Sequence, residues 1–141
     1  MTREKASLRS AALLVLFSLT CVSGTAIDAA ADLDTPKLVY LLIEDDLLIA
    51  SNIRFSRFDE FRLTAKESVQ RKAVGDAVAV IATNERIIGY SALMAAWRSI
   101  RYAPGETLET VEVEDFSASI ITNRRFLNFN GRNGLWAERL R

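Results

Sequence analysis

The sequence predicts an all-β fold of three 39-residue repeats, each made of four short antiparallel strands. Three observations lead there. Phe58, Trp97 and Trp136 stand 39 and 39 residues apart. Frames 25–63, 64–102 and 103–141 align in register, and the last two share Glu67/Glu106, Asp76/Asp115, Ile81/Ile120, Thr83/Thr122, Asn84/Asn123 and Arg86/Arg125 among other identities. Each frame also divides into short β-prone runs separated by turn residues. A period between about 20 and 50 residues is the mark of stacked or rotationally repeated supersecondary units.

In the second frame the first run is Glu67 to Val74. Ala77 to Thr83 follows, rich in valine and isoleucine as a strand buried on both faces would be. Asn84-Glu85 is a two-residue break, and Asn tolerates the positive φ of tight hairpin turns. Arg86 to Ser91 is the return strand and Trp97 to Tyr102 the next. In the third frame Pro104-Gly105 marks a turn, Thr107 to Glu114 alternates as a strand, and Asn123-Arg124 repeats the hairpin break. Asn130-Gly131 and Asn133-Gly134 then precede a strand over Leu135 to Arg141.

Comparing frames settles two segments that look helical alone. Ala65 to Ala73 is rich in helix formers, but its counterpart, Pro104 to Glu112, opens on Pro-Gly and is rich in Thr and Val, so both are expected to be strands. Ala92 to Ala96 answers Gly131-Arg132-Asn133-Gly134-Leu135, which reads as a turn. The first frame is degenerate but in register: Val39 answers Val78, Ile49 answers Ile88 and Arg62 answers Arg101.

The run Arg125-Phe126-Leu127-Asn128-Phe129-Asn130-Gly131-Arg132-Asn133-Gly134-Leu135-Trp136, with its counterpart Arg86-Ile87-Ile88-Gly89-Tyr90 … Trp97, resembles a β-propeller blade of the quinoprotein-like or WD-like kind. It shows a strand, an aromatic-containing return, a Gly turn and a Trp on the next strand. The resemblance covers about Leu38 to Arg141 and implies a half-propeller-like arrangement of four-stranded blades. No Trp-Asp dipeptide, Gly-His pair or calcium motif accompanies it, so it implies no subfamily and no family function. Three repeats of this length also suit a β-trefoil, and Thr122 to Leu127 is similar to the strand–turn–strand core of a pleckstrin-homology-like barrel.

Residues 1–31 read as a secretory signal peptide, with residues 32–141 as a single β-repeat domain. Arg3, Lys5 and Arg9 precede an apolar run from Ala11 to Val22, and small residues at Val22-Ser23-Gly24 and Ala29-Ala30-Ala31 offer cleavage points. That run is shorter than the ~20 residues of a membrane span. A periodic domain behind such a leader is expected to be periplasmic or secreted, with no membrane span after cleavage. The lone cysteine, Cys21, lies in the leader and fits a lipidation site poorly, so the mature chain would carry no disulfide.

Chemistry is bounded mainly by what is missing. There is no histidine, no mature cysteine and no glycine-rich phosphate loop. His- or Cys-based catalysis and the usual zinc sites are thereby excluded, and no cofactor is expected. Lys+Arg and Asp+Glu balance at 18 each, which points away from nucleic acid. Glu44-Asp45-Asp46 falls on the hairpin break and reads as a turn rather than a calcium site. Asp59-Glu60 and Glu112, Glu114 and Asp115 read as solvated surface rather than an acid/base pair. Trp97, Trp136, Tyr90 and Phe129 recur in register, as residues packed within each repeat do.

Two readings remain for the repeated arginines. Arg86, Arg124 and Arg125, with Asn84 and Asn123, would form a rim able to take a carboxylate or phosphate ligand. Otherwise each repeated arginine pairs with a repeated acid such as Asp76 or Asp115 and locks its repeat. The functional expectation is a secreted or periplasmic, non-catalytic interaction module. Its partner would be a second copy, as a homo-dimer, or another protein. The alternative is a small-ligand or carbohydrate-binding protein.

Overall fold

Strand alternation and turn chemistry produce a chain of hairpins. The structure, a computed structural model, describes residues 36–141. Three antiparallel meanders follow one another. The first contains β1 (Val39–Glu44), β2 (Leu47–Asn52) and β3 (Arg57–Arg62). The second contains β4 (Val69–Val74), β5 (Val78–Thr83), β6 (Arg86–Ser91) and β7 (Ala96–Arg101). The third contains β8 (Leu108–Val113), β9 (Ser117–Thr122), β10 (Arg125–Asn130) and β11 (Leu135–Leu140). Each strand of the third sheet starts 39 residues after its counterpart in the second, and β1 to β3 stand 39 before β5 to β7. Residues 30–35, which the same shift places opposite β4, lie outside the described residues, as does the expected leader over 1–31.

The repeat reaches into details of register. β4 and β8 each shift against their neighbour at one place, between Val69 and Arg71 and between Leu108 and Thr110. The third hairpin turn takes a positive φ at Ser56, Ala95 and Gly134, again 39 residues apart. Asn84 and Asn123 do not take the positive φ their turn suggested; of the equivalent β1–β2, β5–β6 and β9–β10 turns only the first does, at Asp45. Their side chains act on the neighbouring loop instead, as described below.

Every strand pairs only with sequence neighbours inside its own sheet. The trefoil and the pleckstrin-homology-like barrel both run strands from different repeats into one barrel, and that is not the arrangement here. The segment expected as strand over 65–73 is turn and loop up to Ser68 and strand only from Val69, residues 92–95 form the expected turn, and no helix occurs among the described residues. No described helix is therefore long and apolar enough to cross a membrane.

Burial shows how the sheets stack. All six residues of β5 are buried, whereas β1 and β9 alternate between more and less buried positions. A strand with this pattern has protein on both faces, while its counterparts in the outer sheets have it on one. The first seam joins Val39, Leu48 and Ala50 to Ala79, Ile81, Ile88 and Tyr90. The second joins Val78, Val80 and Ile87 to Ala118, Ile120, Leu127 and Phe129. Backbone hydrogen bonds cross both seams at equivalent points, from Leu38 N to Asp76 O (2.6 Å) and from Ala77 N to Asp115 O (2.7 Å).

Close approach demands glycine at Gly89, where a Cβ would lie 2.9 Å from the Phe129 ring. Gly89→Ala is expected to destabilise by about 1–3 kcal/mol through overpacking of the second seam. At Gly134 a Cβ would make ordinary van der Waals contact, 3.5 Å from Met94, but φ is +69°, so Gly134→Ala is expected to cost about 1 kcal/mol from backbone conformation. Urea denaturation of the two variants checks both values.

Candidate functional site

The segment Thr-Asn-x-Arg forms the β5–β6 and β9–β10 turns and builds a polar cluster there. Thr83 Oγ accepts from the backbone of Glu85 (3.2 Å) and Arg86 (3.1 Å), which closes the turn. Asn84 clamps the preceding loop, accepting from Ser68 N (2.8 Å) and donating to Lys66 O (3.0 Å). Glu67 is carried under the turn by that loop, and its side chain has no exposed surface. It accepts from Arg86 Nε (2.8 Å) and Nη2 (2.7 Å), from Thr83 Oγ (2.8 Å) and from Thr64 N (3.1 Å). The third sheet repeats this with Glu106, Arg125, Thr122 and Ala103 N. Asn123 clamps Thr107 N and Gly105 O as Asn84 clamps its own loop.

The repeated arginines thus pair with Glu67 and Glu106, not with Asp76 and Asp115 as one sequence reading had it. Asp76 and Asp115 lie in the links before β5 and β9, where their carbonyls accept the backbone bonds across the seams. Burial alone would raise the Glu67 carboxyl. The forked bond from Arg86, with the Thr64 amide and the Thr83 hydroxyl, overrides burial and holds it at about 2, against an ordinary 4.5. Glu106 is lowered for the same reasons, with Arg125 as the main partner opposing burial.

A second polar group bridges the first seam. Asn52, almost wholly buried, donates to Tyr90 Oη (2.7 Å) and to Ala92 O (2.9 Å). Tyr90 Oη donates to Asp59 Oδ2 (2.5 Å), and Arg57 pairs with the same carboxylate (2.5 Å). Burial, then the Asp59 hydrogen bond, pushes the Tyr90 hydroxyl up, so it stays a neutral donor. Ser91, 39 residues after Asn52, bonds Gly131 O across the second seam. The signal for this bridge was present in sequence, since Asn52, Ser91 and Asn130 are polar residues 39 apart at the ends of apolar runs.

The tryptophans stack on their own sheets and also tie to the sheet before. Trp97 packs 4.7 Å from the Tyr90 ring, and its Nε1 donates to Asp59 O (3.2 Å). Trp136 packs 4.8 Å from Phe129, and its Nε1 donates to Arg98 O (3.4 Å). Phe58, the same position in the first sheet, is 66% exposed because no described sheet precedes it.

The five rim residues are brought to one edge of the stack but not to one ligand position. Asn84, Asn123, Arg86 and Arg125 are engaged within the chain as above, and Arg125 also bonds Arg101 O and Glu138. Arg124 is exposed. Two concavities lie among the described residues. One of about 420 Å³ lies between the second and third sheets, lined by Gln70, Arg71, Asn84, Tyr102, Glu106, Thr107 and Leu108. Tyr102 Oη is buried beside it without a hydrogen-bond partner in the described structure. The other, about 320 Å³, is a shallow depression on the third sheet around Ser119, Ile121, Phe126, Asn128, Ala137 and Arg139. It belongs to a free face. The opposite end of the stack has one too, where Tyr40, Leu42 and Phe58 are exposed.

No protein-family model and no curated protein matches the chain. Among solved structures, the N-terminal domain of Nup159 is similar at a TM-score of 0.42 and 13% sequence identity. That similarity covers 74% of this chain, which spans 28% of the Nup159 structure.

Because the folded Glu67 pKa lies below its ordinary value, its contribution is present above about pH 4.5 and is lost as pH falls toward about 2. Loss of about 3 kcal/mol from this one group is expected over that window. Denaturation midpoints for Glu67→Gln should show little of this pH dependence. Arg86→Ala, which strands the buried carboxylate, is expected to cost about 3–5 kcal/mol at pH 7.

Proposed function

We propose that the chain is a non-catalytic interaction module, secreted or periplasmic, built from half-propeller-like β-repeats. One observation carries this reading. Among the described residues no sheet covers the outer faces of the first and third sheets, and those faces keep large exposed apolar side chains: Tyr40, Leu42 and Phe58 at one end, Phe126 and Leu135 at the other. Exposed apolar patches of this kind mark association sites. The polar groups that could have served chemistry instead satisfy one another inside and between the sheets. A basic leader with an apolar run supports export. The partner is a protein, either a second copy or another chain, and no cofactor or nucleic acid is involved.

A second reading is favoured by the concavity between the second and third sheets. There the unpartnered Tyr102 hydroxyl stands with Arg71 and Gln70 on the lining, a set that would suit a small polar ligand such as a sugar or a carboxylate. A thermal-shift screen against glycans and metabolites separates the two. The interaction module is expected to show no ligand-dependent rise in Tm. A rise of several degrees that Tyr102→Phe abolishes would favour the small-ligand protein.

A further inference from the structure

We propose that the partner is a second copy of this chain, docked head to tail. The free face of the third sheet meets the free face of the first sheet of the other copy, twice, to close a ring of six sheets. The proposal rests on the interaction-module reading and names its occupant. It comes from continuing the two seams already inside the chain by one more step of 39 residues.

Three layers of the seam carry over. In the first seam Leu48 packs with Ile81 and Ile88, and in the second Ile87 packs with Ile120 and Leu127. The next step sets Phe126 against Leu42 and Ile49 of the second copy. Phe126 and Leu42 are 44% and 50% exposed in the single chain. Next, Ala50 clusters with Tyr90, and Gly89 receives the Phe129 ring. The following pair is Asn128 against Ser51, so the larger side chain moves to the opposite side of the seam and its partner shrinks. Last, Phe61 lies under the Arg86 guanidinium, 4.9 Å away. Its equivalent at the new seam is Arg139, and Arg86 is answered by Leu47, whose cross-strand neighbour is Glu44. A cation has replaced the aromatic ring just where a carboxylate is within reach.

The number of copies follows from closure. Head-to-tail contacts give a ring only if the rotation closes, and otherwise an open polymer. Propellers of four-stranded sheets hold roughly four to eight blades. With three sheets among the described residues of each chain, two copies give the one whole multiple in that range.

Sedimentation equilibrium of the full chain is expected to give twice the chain mass. Phe126→Asp and Leu42→Asp should each raise the dimer dissociation constant about 30-fold or more, with the β-sheet circular dichroism unchanged. Arg139→Glu should weaken the dimer, and adding Glu44→Arg should restore it. In a Cys21→Ser background, Asn128→Cys with Ser51→Cys should yield a disulfide-linked dimer on oxidation. A single-mass species, an open polymer, or a dimer indifferent to these variants would overturn the proposal. A single-mass species with no ligand-dependent Tm shift leaves the interaction module standing with a different protein as partner. A ligand shift abolished by Tyr102→Phe removes that reading itself.

Discussion

A β-sheet in this chain is stable only when its apolar face is covered by the next sheet. A single meander of three or four six-residue strands leaves its apolar faces in water until a neighbouring sheet covers them. The architecture follows from that constraint. β5, at the middle of the stack, is apolar on both faces and buried on both. Its counterparts β1 and β9 are buried mainly on the face that has a neighbour. Spacing between sheets is then set by the side chains that meet, with Ala50 and Gly89 making room for the Tyr90 and Phe129 rings.

Polar groups keep the sheets in register. Glu67 and Glu106 are carboxylates with no exposed side-chain surface, a costly placement unless each oxygen is met by donors. The loop amide, the threonine hydroxyl and the forked arginine meet them, and the same groups close the turn. In the second and third sheets the β5–β6 and β9–β10 hairpins are thereby locked to the loop that enters the sheet. The first sheet has Glu44 and Leu47 where the later ones have the threonine and arginine, so it lacks this lock. It is held instead by the Asn52–Tyr90–Asp59 bridge to the second sheet.

Much of the fold was legible because it is written twice. Turn against helix at Ala92–Ala96 and strand against helix at Ala65–Ala73 were decided by comparing one frame with another; the backbone is turn over 92–95 and strand from Val69 on, while 65–68 is turn and loop. Less of the site was legible. Glu67 and Glu106 stood among the identities, yet their link to Arg86 and Arg125 was missed. The two partners are 19 residues apart in sequence and meet only when the entering loop folds under the turn. Turn positions were correct for Asn84 and Asn123, but not their role there. Neither residue takes a positive φ, and the side-chain amide clamps the loop instead.

By itself the sequence determined the period, the strand runs, the turn positions and the all-β class. All of these depend on local preference and on alternation along the chain. Only the tertiary structure decided which acid neutralises each arginine, which face of each sheet is covered, and that the tryptophans reach back to the preceding sheet. Those outcomes depend on the contact between sheets. A 39-residue shift in sequence is equally compatible with repeats that share a barrel and with repeats that stack face to face, because both bury alternate residues of each strand.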